Sequence, residues 1–98
     1  MNSISVESLK ELIPMVNIID IRDKYQYNIG RIPTATNIPI NFLLMNPENY
    51  LNKNDKYYIY CEYGTRSAKA CSTLTSLGYN VINVEGGYNN YKLLAHKK

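Results

Sequence analysis

Tyr57-Tyr58-Ile59-Tyr60-Cys61-Glu62-Tyr63-Gly64-Thr65-Arg66-Ser67 is the stretch that decides the fold. Its first four residues are aromatic or β-branched without alternation, the pattern of a central strand covered on both faces. Residues 66–77 then place Ala70, Cys71, Leu74 and Leu77 on one helical stripe, which Gly78 ends. A cysteine therefore closes a strand, a short loop follows, and a helix begins. The backbone N–H groups from Glu62 to Arg66 are predicted to converge on the Cys61 sulfur. The helix start adds unpaired N–H groups and the positive end of its dipole, and both favour a thiolate. Gly64 supplies the backbone angle a tight loop needs. Arg66 adds a cation that supports the loop or meets an anion. The same cradle suits an anionic persulfide or an oxyanion docked above the sulfur.

Working outward, strand and helix signals alternate. Upstream, Ser5 can cap a helix with apolar positions Val6, Leu9, Leu12 and Ile13, and Pro14 closes it. Val16 to Ile21 is a β-branched run that reads as a buried strand. Asp23 can cap a short helix through Tyr25 and Tyr27 that stops at Gly30. Asn37-Ile38 is extended between Pro33 and Pro39. Two weak helical turns follow from Ile40 to Leu51, the second opened by Asn46-Pro47. Downstream, Val81 to Val84 is a strand, Gly86-Gly87 a turn, and Tyr88 to Ala95 a closing helix. This alternation predicts an α/β fold with a mainly parallel sheet covered on both faces. Sites in such sheets form at the C-terminal strand ends, here after Ile21 and after Tyr60.

Composition narrows the classes of function. Ninety-eight residues predict one domain spanning 1–98. No apolar run approaches the roughly 18 residues that a membrane helix needs. Residues 1–12 carry acidic side chains where an export signal would carry its apolar stretch, so the expected compartment is the cytoplasm. Two cysteines in such a chain do not read as a disulfide framework. With one histidine they cannot supply the four ligands of a structural zinc site, so no metal is expected. A net charge of +3, partly from Lys97 and Lys98, is too mild to argue for nucleic acid. Asn, Lys, Ile and Tyr make up 42 of the 98 residues, which AT-rich codons explain. With one Phe and no Trp, the ten tyrosines fill ordinary aromatic core positions rather than a stacking surface.

In its motifs the chain resembles the single-domain rhodanese family. Cys61 to Ser67 fits a C-x-x-G-x-R-S loop. Ile18-Ile19-Asp20-Ile21-Arg22 is similar to the D-x-R segment of that family. The run Gly30 to Pro39 resembles its G-H-I-x-G-A-x-N-I-P signature, and Val84 to Tyr88 its Gly-Gly-aromatic turn. The resemblance runs from about Ile4 to Leu94. It implies a five-stranded parallel sheet with helices on both faces. It also implies a sulfurtransferase without a cofactor, and a monomer is expected. Cys61 would take a sulfane sulfur from thiosulfate or a persulfide and pass it to a thiol, a protein or cyanide. Glu62, Tyr63, Gly64, Thr65 and Arg66 would form the substrate loop, with Asp20, Arg22 and Ser67 in support.

Several positions depart from the family pattern or admit two readings. Arg31, Thr34 and Gln26 stand where the family usually has His, Gly and Glu. Glu62 places a carboxylate beside the nucleophile and Tyr63 an aromatic wall. Both features point to a persulfide rather than dianionic thiosulfate as donor. Asp20 can orient Arg22 or Arg66, accept loop N–H bonds, or cap the next segment. Cys71 reads as a small core residue, with a resolving thiol as the alternative. Tyr88 either lines the pocket or packs in the core. His96, near the end of the chain, is expected to take no part in catalysis. Two other functions compete. A cysteine phosphatase or arsenate reductase would need C-x5-R, whereas Cys61 to Arg66 is C-x4-R, a smaller ring suited to one sulfur. A non-catalytic regulatory module would not require Cys61, Gly64 and Arg66 together.

Overall fold

The computed structural model describes residues 2–96, so Lys97 and Lys98 lie outside the described residues. In chain order the elements are β1 (Asn2–Ile4), α1 (Val6–Lys10), β2 (Asn17–Asp20), α2 (Lys24–Ile29), β3 (Thr36–Asn37) and α3 (Ile40–Met45). A 3-10 turn (Pro47–Asn49) leads to β4 (Lys56–Tyr60), α4 (Thr65–Ser76), β5 (Asn80–Val84) and α5 (Gly87–Ala95). The strands form one parallel sheet in the order β1-β5-β4-β2-β3, with β4 in the middle. The α/β architecture expected from the sequence is therefore present. The strand β1 has no signature of its own in the residues, because Asn2-Ser3-Ile4 is short and polar. It forms by adding to the edge of β5, pairing Ile4 with Val84.

Side-chain parity along the strands assigns each face its helices. Ile59 and Cys61 point to a core built with Ile19, Val81, Leu43, Ala70, Cys71 and Leu74, under α3 and α4. Tyr58 and Tyr60 point the other way, to a core with Val6, Leu9, Ile18, Ile82 and Val84, under α1 and α5. Register sets Asp20 beside Tyr60, and Ile59 between Ile19 and Asn83. The C-terminal ends of β2, β4 and β5 consequently open on the same edge, where the site forms.

The helix signals behave as their chemistry requires. The Ser5 hydroxyl accepts from the Ser8 N–H at 3.1 Å, and an Asp23 carboxylate oxygen from the Gln26 N–H at 2.9 Å. Helix α1 ends at Lys10, ahead of Pro14, and Leu12 and Ile13 still pack on the α1/α5 core from the turn that follows.

Gly30 corrects the sequence reading. It ends α2, but in extended backbone (φ −174°) that any residue adopts, not in a left-handed cap. What it provides is space: a Cβ there would overlap the Tyr88 hydroxyl. Gly30→Ala is therefore expected to displace the Tyr88 ring and cost about 1–3 kcal/mol. Urea unfolding checks this, and most of the loss should be recovered in a Tyr88→Phe background, where the overlapping oxygen is gone.

Candidate active site

Helix α4 begins where β4 lets go of the sheet. After Tyr60 the chain has no further ladder partner on that side, and the Cys61 and Glu62 carbonyls need other donors. The start of α5 provides them: the Tyr88 N–H donates to the Cys61 carbonyl and the Asn89 N–H to the Glu62 carbonyl, both at 2.9 Å. Gly64 follows in the left-handed region (φ 91°) and leads into α4. The loop thereby turns back over Cys61. The N–H groups of Gly64 and Ser67 donate to Sγ at 3.2 and 3.3 Å. This revises the expected cradle of five N–H groups from Glu62 to Arg66. One donor, Gly64, lies inside that range, and the second, Ser67, lies one residue beyond it.

Behind the sulfur is a buried polar chain. Cys61 Sγ donates to Ser67 Oγ at 3.3 Å, Ser67 Oγ donates to Asn83 Oδ1, and Asn83 Nδ2 donates to the Gly64 carbonyl at 3.3 Å. Ser67 is fully buried and Asn83 nearly so. Asn83 was not among the candidate residues. Its signal was a lone amide inside the otherwise apolar run Val81 to Val84 of a central strand, a position that needs a polar partner.

In front of the sulfur is a hollow of about 280 Å³ lined by Arg22, Gln26, Cys61, Tyr63, Thr65 and Arg66. Cys61 is 4% exposed and lines the floor of this hollow. Tyr63 is 65% exposed and forms an aromatic wall, and Thr65 and Arg66 stand exposed at the start of α4. Arg66 makes no ion pair among the described residues, so it is a cation at the mouth and not a brace for the loop.

The bracing arginine is Arg22. It donates to both Asp20 carboxylate oxygens, to the Gly30 carbonyl at 2.6 Å and to Glu62 Oε1 at 3.1 Å. It also lies 4.3 Å from the Tyr88 ring centroid. Tyr88 packs on the α1/α5 core and backs Arg22 without lining the hollow. Burial opposes the Arg22 charge, but hydrogen bonds and ionic attraction to Asp20, with Glu62 adding, outweigh it and raise the guanidinium above its ordinary value. Asp20 is fully buried and accepts from both the Arg22 side chain and the Arg22 backbone N–H, so it orients Arg22 and holds the turn after β2 at once, and it does not reach Arg66. It also accepts from the Tyr60 hydroxyl at 2.7 Å. Burial, then the charge and hydrogen bond of Asp20, hold the Tyr60 phenol well above the tyrosine range. Tyr60, another residue the sequence reading passed over, accepts the Ile32 N–H in turn.

Glu62 is not the free carboxylate that the sequence suggested. It pairs with Arg22 and, at 3.6 Å, with Lys92 of α5. Its charge is therefore paired on both sides. Glu62→Arg would set a third cation against those two and disturb the loop.

The rhodanese-like domain family model matches residues 5–94, and the chain belongs to that family. It is 33% identical over 90 residues to a sulfurtransferase of Allochromatium vinosum, covering 88% of this chain and 83% of that protein. It is 35% identical over 92 residues to a Bacillus subtilis protein whose name refers to sulfur carriage, covering 90% of this chain. The chain spans 49% of the length of that second relative. A crystal structure of a Staphylococcus saprophyticus protein superposes with a TM-score of 0.86 at 42% identity, covering 93% of each chain. Sulfur transfer of the rhodanese type is the general activity these relatives support.

The two cysteines sit in different settings. Cys71 is fully buried on α4 and has no opening to the hollow. Burial, with the Cys61 charge adding, pushes its thiol from 9.0 up to about 12. A folded-state value above the unfolded one means that Cys71 contributes stability at neutral pH and loses it as pH rises from 9 toward 12. At pH 8 iodoacetamide should label one thiol, Cys61, in the native protein and two in urea, as intact mass will show. Native labelling of Cys71 would contradict its packing.

Proposed function

We propose that this protein is a sulfurtransferase that carries a sulfane sulfur as a persulfide on Cys61. The observation that carries this reading is the Cys61 sulfur at the floor of the hollow, held by the Gly64 and Ser67 N–H groups with Arg66 at the mouth. The thiol first loses its proton to water. The thiolate electron pair attacks the outer sulfur of the donor, forming a new S–S bond. The donor's own bond to that sulfur breaks, and its leaving group departs with the electron pair: sulfite from thiosulfate, a thiolate from a persulfide. An acceptor nucleophile then attacks the outer sulfur and Cys61 leaves as thiolate. Each displacement is simple, and the covalent intermediate separates them, so ping-pong kinetics follow.

Donor and acceptor chemistry follow from the mouth. Arg66 faces the hollow without a carboxylate partner, and it suits an anionic donor, thiosulfate or an ionised persulfide. Tyr63 offers an apolar surface to the rest of a thiol or protein partner. The acceptor is a thiol or protein in the cell, and cyanide serves in vitro. A reducing compartment such as the cytoplasm keeps both cysteines free, as they are here. Two N–H donors on one sulfur in a C-x4-R loop fit this cargo better than a phosphate.

Incubation with thiosulfate or glutathione persulfide should add one sulfur atom by intact mass, and cyanide should remove it. Cys61→Ser should abolish loading while Cys71→Ser keeps most of it. Full transfer by Cys61→Ser would end this reading.

The geometry of Arg66 gives a second expectation. Since it makes no paired hydrogen bonds, Arg66→Lys should retain most of the activity with thiosulfate. Arg66→Ala should raise KM about three- to tenfold, with the effect shrinking at high salt. Steady-state kinetics at two ionic strengths check this, and a Lys variant as poor as Ala would show that the guanidinium shape matters.

A further inference from the structure

The polar chain behind Cys61 has only one consistent direction. The Gly64 carbonyl is an acceptor and nothing else, so the Asn83 amide must turn Nδ2 toward it, as it does at 3.3 Å. That turns Asn83 Oδ1, again an acceptor only, toward Ser67. The Ser67 hydroxyl proton therefore lies on its short bond to Oδ1. What Ser67 Oγ has left for the sulfur, 3.3 Å away, is a lone pair. A lone pair suits an S–H donor and opposes a charged sulfur. Were the Ser67 proton to swing to a thiolate, the buried Asn83 oxygen would lose its donor.

We propose that Asn83 is a positioning residue that turns a Ser67 lone pair toward the inner sulfur of Cys61 and so opposes charge on that sulfur. The inference rests on Cys61 being the sulfur carrier. In the resting thiol, S–H donates to Ser67 Oγ. In the persulfide the charge resides on the outer sulfur, beyond Ser67, and the inner one is again uncharged. The bare thiolate is the one state this lone pair opposes, against the Gly64 and Ser67 N–H groups that favour it. A destabilised thiolate is a stronger nucleophile toward the donor and a poorer leaving group, so the protein keeps its cargo until a good acceptor arrives. The charged and titratable groups around Cys61 are Glu62 in the loop, Arg22 after β2, Lys92 on α5, and Arg66 and Cys71 on α4. None of them changes in the variants below, so the hydrogen-bond chain alone is read.

The test is the rate of Cys61 alkylation by iodoacetamide between pH 5 and 9, assigned by peptide mass. Ser67→Ala removes the lone pair and should raise the rate at pH 6 by about threefold or more, the worth of one neutral hydrogen bond. Asn83→Leu releases the Ser67 proton toward the sulfur and should do the same or more, while adding nothing in a Ser67→Ala background. The Gly64 carbonyl keeps the Ala68 N–H at 3.2 Å as a donor in that variant. Should Asn83→Leu fail to fold, Ser67→Ala decides alone. An unchanged or slower rate in Ser67→Ala would overturn the proposal, because a hydroxyl that donated to the thiolate would make its loss slow the reaction. No sulfur donor enters this measurement. A protein that shows the predicted rates yet never gains a sulfur by mass would refute the carrier function and leave the Asn83 assignment standing.

Discussion

The site depends on two hydrogen bonds from the start of α5 to the carbonyls of Cys61 and Glu62. The first N–H groups of a helix have no acceptor within it, and carbonyls leaving a strand end have no ladder donor. Joining the two satisfies both and sets the path of the loop. Backbone must meet backbone for this to happen. A Cβ on Gly87, which sits at φ 57°, would overlap the Cys61 carbonyl. One on Gly64 would lie 2.8 Å from the Gly86 nitrogen. The Gly86-Gly87 turn and Gly64 are thus two sides of one close approach, and the N–H groups reach the sulfur because that approach is possible.

Sheet parity then separates two polar networks that would interfere if mixed. Asp20 and Tyr60 point to the α1/α5 side, where they hold Arg22 and, through it, Glu62. Cys61 and Asn83 point to the α4 side, where Ser67 joins them. One network is ionic and fixes the frame of the loop. The other is uncharged and touches the sulfur. Buried ions are costly unless fully paired, and Asp20 meets this condition with bonds from the Arg22 backbone, the Arg22 side chain and Tyr60. Asp20 and Tyr60 stay on the far face of the sheet, and Arg22 and Glu62, which reach the hollow, arrive there already paired with each other.

Most of this architecture was legible in the residues because local signals and global fold agree. The β-rich run before Cys61, the stripe Ala70, Cys71 and Leu74 and the caps at Ser5 and Asp23 each did what their chemistry dictates, while Leu77, expected on that stripe, caps α4 in an exposed position. The missed features are those whose meaning lies in a partner distant in sequence. Glu62 reads as a repelling carboxylate until Arg22 and Lys92 are brought to it from 40 and 30 positions away. Gly30 reads as a helix stop, whereas its constraint comes from Tyr88. Arg66 sits in the motif, yet Arg22 carries the bracing bonds, since Arg22, two residues past β2, reaches both Asp20 and Glu62 of the loop. β1 depends on β5 for its existence.

Charge sorts by depth at the site. Asp20, Arg22, Glu62 and Lys92 together hold two negative and two positive charges in one connected cluster. The Lys92 link is half-exposed and worth little alone, but it completes the balance. With that cluster neutral as a whole, Arg66 is the unbalanced cation of the hollow. An incoming anion therefore meets a positive mouth, while the sulfur it reaches is governed by the Gly64 and Ser67 N–H groups and the Ser67 oxygen. Salt screens the first of these and leaves the second nearly untouched, because one is solvent-exposed and the other buried. In the proposed transfer, the cation at the mouth and the hydrogen bonds behind Cys61 thus act from opposite sides of one sulfur atom. A change in ionic strength and a change at Asn83 should act independently.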